Sequence, residues 1–214
     1  ANNLALLGYA RDFHMRTGSF GNIITLKTEH HAVLEPIRQL AKEGFTITEI
    51  CPQENGLIDQ EILLKAIKKD TFLVSIMLAN NEIGVIQPVN DIAQICKSRK
   101  IIFHTDAAQC IGYLPLNLIS RNANMITLSS HKIYGPKGVG LLIIDEDINL
   151  EPLLFGGGQE FGFRPGTIPL PLIIGFAKAI EIAINNTEKN ISKLSLLRNN
   201  LLKGILKTGN KVLI

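Results

Sequence analysis

Apolar residues along this chain alternate between two rhythms. In short stretches they run almost continuously and are rich in β-branched types: Ile23–Leu26, Phe45–Ile50, Phe72–Leu78, Ile101–Thr105, Met125–Ser129 and Val139–Ile144. Such runs predict buried β-strands. Between them, apolar residues recur with helical spacing over roughly Ala32–Glu43, Asp59–Lys69, Val89–Arg99 and Pro171–Ile184, which predicts amphipathic helices. Gly44 after the first helix and Pro88 before the third are the expected stop and start signals. Strand–helix alternation predicts an α/β fold, a mostly parallel sheet covered on both faces.

The ends read differently. Asn2-Asn3-Leu4-Ala5 reads as a helix already under way. A long helix over Asn190–Lys207 is followed by a Thr-Gly-Asn turn and by Lys211-Val212-Leu213-Ile214, which reads as the first strand of another unit. A lone strand does not make a stable domain, so the sequence is expected to be a piece of a longer protein.

Composition narrows the class. A chain of 214 residues, 46% hydrophobic and 19% charged, suits a soluble globular protein with one core, or one core and part of a second. The net charge of +3 is spread along the chain, so no nucleic-acid partner is expected. Leu172–Ile184 is interrupted by Lys178 and Glu181, so no membrane span is expected. The first residues lack the basic start and apolar block of a secretory leader. Cys51, Cys96 and Cys110 are few and widely spaced; they fit a reducing compartment, show no metal-ligand spacing, and default to small buried hydrophobes. The sequons at Asn185 and Asn190 are read as chance matches.

The chemistry concentrates in Asn124–Gly140, where a strand runs into Ser129, Ser130, His131 and Lys132 and then a Gly/Pro-rich turn. A lysine just past a buried strand stands where ligand crevices open in α/β sheets. Such an amine can hold an electrophilic cofactor as a Schiff base, while neighbouring hydroxyl and imidazole groups hold a phosphate. The combination suggests pyridoxal 5'-phosphate (PLP). Asp106 ends the strand Ile101–Thr105 and can pair with a pyridinium nitrogen; alone it would read as a helix N-cap. His30 can stack on a flat ring, although an ordinary loop residue is the simpler reading. Asn80 or Asn81, and Gln109, can donate to a phenolate oxygen, or simply form turns. The Gly135-Pro136-Lys137-Gly138 turn lacks Walker A spacing, and no Gly-rich loop follows the first strand, which disfavours a nucleotide-binding module.

Five segments occur together in order: Thr28-Glu29-His30-His31-Ala32-Val33, Asn80-Asn81-Glu82-Ile83-Gly84, Asp106-Ala107-Ala108-Gln109, Ser130-His131-Lys132-Ile133-Tyr134-Gly135-Pro136-Lys137-Gly138, and Gly156-Gly157-Gly158-Gln159-Glu160. In this the chain resembles the group I cysteine desulfurases, the NifS/IscS-like PLP enzymes. The resemblance runs to about Ile184 and weakens beyond it. It implies the three-layer α/β/α large domain of fold-type I over residues 1–188, with 189–214 as a connecting helix and the first strand of a small C-terminal domain. It also implies roles. Lys132 binds the cofactor covalently, Asp106 pairs with the pyridine nitrogen, and His30 stacks on the ring and moves protons. Asn81 and Gln109 bond the phenolic oxygen, Ser129 and His131 hold the phosphate, and Thr167 reaches the phosphate in the partner subunit of a homodimer. The implied reaction converts L-cysteine to L-alanine and an enzyme persulfide that feeds an iron–sulfur scaffold or another acceptor protein. The implied location is the cytoplasm, or the mitochondrial matrix or another organelle in a eukaryote.

Departures from the family pattern qualify that picture. The Gly-Ala-Thr phosphate segment would lie before Asn2, and the persulfide-forming cysteine and carboxylate-binding arginine beyond Ile214, so this stretch alone is not expected to turn over. Ala108 replaces a usual Thr, Ser130 a Gly, and Pro165 a Ser, the last removing a backbone donor. Another fold-type I lyase or aminotransferase, and a non-catalytic dimerisation or partner-binding piece, remain the alternatives.

Overall fold

The computed structural model describes residues 1–115, 117 and 123–208. An opening helix passes through a π-helical stretch, Leu4–Gly8, into α1 (Tyr9–Thr17). Then come β1 (Asn22–Leu26), α2 (His31–Glu43), β2 (Thr46–Ile50), α3 (Gln60–Ala66), β3 (Thr71–Ser75), α4 (Val89–Ser98), β4 (Ile102–Asp106), β5 (Met125–Ser129), β6 (Gly140–Ile144), α5 (Leu170–Asn185) and α6 (Thr187–Lys207). Each strand expected between residues 23 and 144 is present. Lys211–Ile214, read from sequence as a further strand, lies outside the described residues.

Element ends follow local chemistry. Asp59 caps α3 by accepting the N–H groups of Glu61 and Ile62. The helix stops at Ala66, short of the Lys69 the periodicity predicts, because Ile67 is extended and Thr71 Oγ1 accepts the Lys68 N–H, turning the chain into β3. Gly44 ends α2 with φ 113°, a left-handed conformation that glycine adopts without strain.

The strands form one sheet in the order β2-β1-β3-β4-β5-β6. All neighbours are parallel except β5 and β6, an antiparallel pair with Ser129 opposite Gly140. The chain leaves β1 toward β2 on one side and returns to β3 on the other, so crevices open outside the carboxyl ends near that reversal.

Successive side chains on a strand face opposite ways, and the core divides accordingly. Ile24, Val74, Phe103 and Ile126 pack with Leu63 of α3, Ile92 and Cys96 of α4, and Phe176 of α5. Ile23, Leu73 and Met125 pack on the other side with Leu6, Ala10, Ile37 and Leu40 from the opening helices and α2. Helices on both faces make the three-layer α/β/α architecture. Each such fully buried aliphatic side chain contributes roughly 1.5–3 kcal/mol. Among the described residues no helix is long and apolar enough to cross a membrane, and no cluster of three metal-ligating side chains occurs. Cys96 and Cys110 are buried, but Cys51, also expected to be core, is exposed because Pro52 follows it out of β2 onto the surface.

Candidate active site

A cavity of about 390 Å³ opens at the carboxyl ends of β1, β3, β4 and β5. That volume lies in the range of small-ligand and cofactor sites. Seven of the eight residues singled out from the sequence line it: His30, Asn81, Asp106, Gln109, Ser129, His131 and Lys132. Thr167 is not among the lining residues; it is exposed in the loop before α5.

Each lining residue is set by its element. Lys132 sits on a single 3-10 turn, Ser130–Ile133, that closes the β5–β6 hairpin. The turn is held by Ser130 O, which accepts the Gly135 N–H at 3.1 Å, and by Tyr134 in a left-handed conformation at φ 64°. Ser129 Oγ and His131 Nδ1 are 3.0 Å apart. With the serine hydroxyl donating, His131 Nε2 carries its proton outward, the arrangement that favours an anionic group.

Asp106 makes the capping bond expected of it when read alone. One carboxylate oxygen accepts the Ala108 N–H at 2.9 Å, the turn-capping bond, and the other accepts from Asn2 Nδ2 at 2.7 Å. A carboxylate has about four acceptor positions, so capacity remains for a cationic ring nitrogen. Asn2, which the sequence did not single out, thus touches the central acid from the opening helix.

His30 caps α2, its Nδ1 accepting the Ala32 N–H at 3.0 Å. That bond fixes the ring and leaves Nε2 as the N–H. The choice between Asn80 and Asn81 is decided by bonding. Asn80 Oδ1 accepts the N–H groups of Glu82 and Ile83, and its amide donates to Thr28 O and Met77 Sδ. Asn80 therefore builds the loop, and Asn81 faces the cavity.

Behind this wall runs a buried polar row. His104 has no exposure; Nδ1 is 2.8 Å from Ser75 Oγ and Nε2 is 3.1 Å from Thr127 Oγ1. Thr25 Oγ1 continues the row by donating to Ser75 O at 2.9 Å. Burial pushes His104 down to about 4, against the pull of the negative Asp106, so the ring is neutral at pH 7. Glu29, also buried, is pushed well up, first by burial, and then by Asp106. Both flank the site and neither was anticipated, because a polar residue inside a strand or before a loop histidine carries no sequence mark of burial.

The description of aminotransferase class-V matches residues 1–213. The chain belongs to the aminotransferase class-V family. Within that family it is 46% identical over 207 residues to "Cysteine desulfurase IscS" of Histophilus somni, covering 96% of this chain and 50% of that protein. It is 45% identical over 208 residues to "Cysteine desulfurase, mitochondrial" of Eremothecium gossypii, covering 96% of this chain and 42% of that protein. A solved structure described as a "NIFS-LIKE PROTEIN" superposes with a TM-score of 0.90 at 39% identity, over 97% of this chain and 57% of that one. The chain thus spans about half the length of the curated relatives it matches. The mixed, mostly parallel six-stranded sheet matches the fold of that NifS-like structure.

Proposed function

We propose that the cavity holds pyridoxal 5'-phosphate and that the intact protein removes sulfur from L-cysteine, giving L-alanine and passing the sulfur to an acceptor protein for iron–sulfur cluster assembly. The observation that carries this reading is the convergence of Lys132, Asp106, His30, Ser129 and His131, from three strand ends, on one cavity of cofactor size. The names of the class-V relatives support the choice of reaction.

The residues fit the group. Lys132 Nζ would hold its aldehyde carbon, and Asp106 the protonated ring nitrogen through its remaining acceptor positions. His30 would lie against the ring face, and Asn81 and Gln109 would meet the phenolic oxygen. Ser129 and His131 would hold the phosphate, His131 donating from Nε2 while Ser129 orients its ring by donating to Nδ1. When bound, the cofactor withdraws electrons from the α-carbon of an attached amino acid. The chain's own part would then be proton handling, with the Lys132 amine taking the proton from the substrate α-carbon. The buried neutral His104 leaves the Asp106 charge for the ring nitrogen, and burial shifts Glu29 toward its protonated form.

We read the sulfur-accepting cysteine as lying outside these 214 residues. In support, burial pushes the Cys96 and Cys110 thiols up to about 12, and the thiolate is the reactive form. Cys51 is exposed but is not among the cavity residues. Residues 1–188 are read as the large domain, with 189–214 leading into a smaller one. Thr167, exposed, suits a contact with a partner subunit's phosphate in a homodimer. A cytoplasmic or organellar setting matches the bacterial and mitochondrial relatives.

The test is borohydride reduction of the intact protein followed by peptide mapping. The pyridoxyl label belongs on Lys132; a label elsewhere, or none, ends the reading. L-cysteine supplied to the same protein should yield alanine and, with a reductant, sulfide. A keto-acid product instead would mark the protein as an aminotransferase.

A further inference from the structure

Glu29 precedes the cavity residue His30 and is 6% exposed. One carboxyl oxygen accepts the Met77 N–H at 2.7 Å, bridging 48 positions of sequence. The other is buried with no partner among the described residues. Close by, Asn80 Nδ2 donates to Thr28 O at 2.8 Å. The two bonds run in opposite senses. In one, a side chain of the loop after β1 reaches the backbone beyond β3; in the other, a side chain beyond β3 reaches the backbone of the first loop. Both stitched segments line the cavity, His30 and Ala32 from the first, Met77 and Asn81 from the second.

We propose that Glu29 is a positioning residue that fastens these two segments, so that His30 and Asn81 stand as one rigid wall of the cofactor cavity. This rests on the reading of the cavity as a PLP site. The carboxyl suits the task. Burial raises its affinity for a proton, the Met77 N–H opposes the rise and Asp106 adds to it, so the shift is toward the uncharged acid and away from a second negative charge beside Asp106. One of its oxygens meanwhile accepts the Met77 N–H. Glutamine shares this shape and neutrality, aspartate is one methylene too short, and alanine leaves the Met77 N–H unpaired.

The experiment compares Glu29→Gln, Glu29→Asp and Glu29→Ala in the intact protein by three readouts. These are PLP affinity, circular dichroism of the bound cofactor in the visible, and amide hydrogen exchange at Met77. Glu29→Gln should bind PLP within about twofold of the parent, with an unchanged dichroic band and a protected Met77 amide. Glu29→Ala and Glu29→Asp should lose about tenfold in affinity, the scale of one buried hydrogen bond, with an altered band and faster exchange. Asn80→Ala, which cuts the second bond, should also speed exchange at Met77 and substitutes if the Glu29 variants do not fold. An unchanged band, affinity and exchange rate in Glu29→Ala would overturn the proposal, as would a Glu29→Gln protein as impaired as Glu29→Ala. Failure of the parent to bind PLP would instead remove the cofactor reading, while the exchange data still decide whether Glu29 fastens the wall.

Discussion

Replacing Gly135 by alanine tests how tightly the turn that carries Lys132 is packed. The glycine's φ lies outside the left-handed region, so the backbone tolerates a side chain and the penalty is steric. A Cβ at 135 would overlap Ser130 Oγ and would stand 3.0 Å from Ala179 Cβ and 3.1 Å from Ser130 O. Ser130 has no exposure and its hydroxyl has no partner among the described residues. The overlap must therefore be relieved by moving the turn against α5. Overpacking of this kind costs about 1–3 kcal/mol, or a few degrees of melting temperature per kcal/mol in a chain of this size. Ser130→Ala removes the atom in the way and also an unpaired buried hydroxyl, so alone it should be neutral or stabilising by up to about 1 kcal/mol. In that background Gly135→Ala should cost at most half as much. The four proteins of the cycle, unfolded in urea at one pH, should show a coupling of about 1 kcal/mol or more. Equal costs of Gly135→Ala in both backgrounds would refute the packing argument.

Substitutions at three other positions bear on the site. His104 is held near pKa 4 against an ordinary value of 6.5, so between these values the unfolded chain binds a proton that the folded one refuses; stability should fall as pH drops through that window, by up to about 1.4 kcal/mol per pH unit, and His104→Gln should flatten the slope in urea titrations. Glu29 acts in the opposite sense, because its raised pKa removes stability as pH climbs above 4.5, so Glu29→Gln should steepen the measured rise. His30→Ala should lose about 1 kcal/mol of helix capping while His30→Asn keeps it; both should weaken PLP binding, and a fully active His30→Asn protein would exclude a ring-stacking role. In the native state a thiol reagent should modify Cys51 rapidly and leave Cys110 and Cys96 untouched, read by mass spectrometry; prompt labelling of Cys110 would contradict its burial.

The fold was legible because strand and helix rhythms are strong: buried runs such as Ile23–Leu26 and Phe72–Leu78 admit few other readings. Lys132, Asp106 and His30 were legible because they follow such runs directly, where crevices open. Residues that act through tertiary placement were not. Asn2 reaches Asp106 across 104 positions, and no local pattern marks that contact. His104 and Glu29 have residue types that usually sit in water, and only the packed sheet reveals them as buried. Asn80 and Asn81 look alike in sequence; their separation into scaffold and cavity wall follows from the backbone bonds that Asn80 captures.

The distances in sequence between groups that meet at the cavity have a kinetic corollary. Asn2 with Asp106, Glu29 with Met77, and Ser75 with His104 join segments 104, 48 and 29 positions apart. Contacts of such long range form late, after loop closure has been overcome. A newly made chain should therefore acquire helices before it can take up a coloured ligand. Yellow absorbance would then serve as a clock for the last stage of maturation, and excess ligand would pull unfinished molecules forward by mass action.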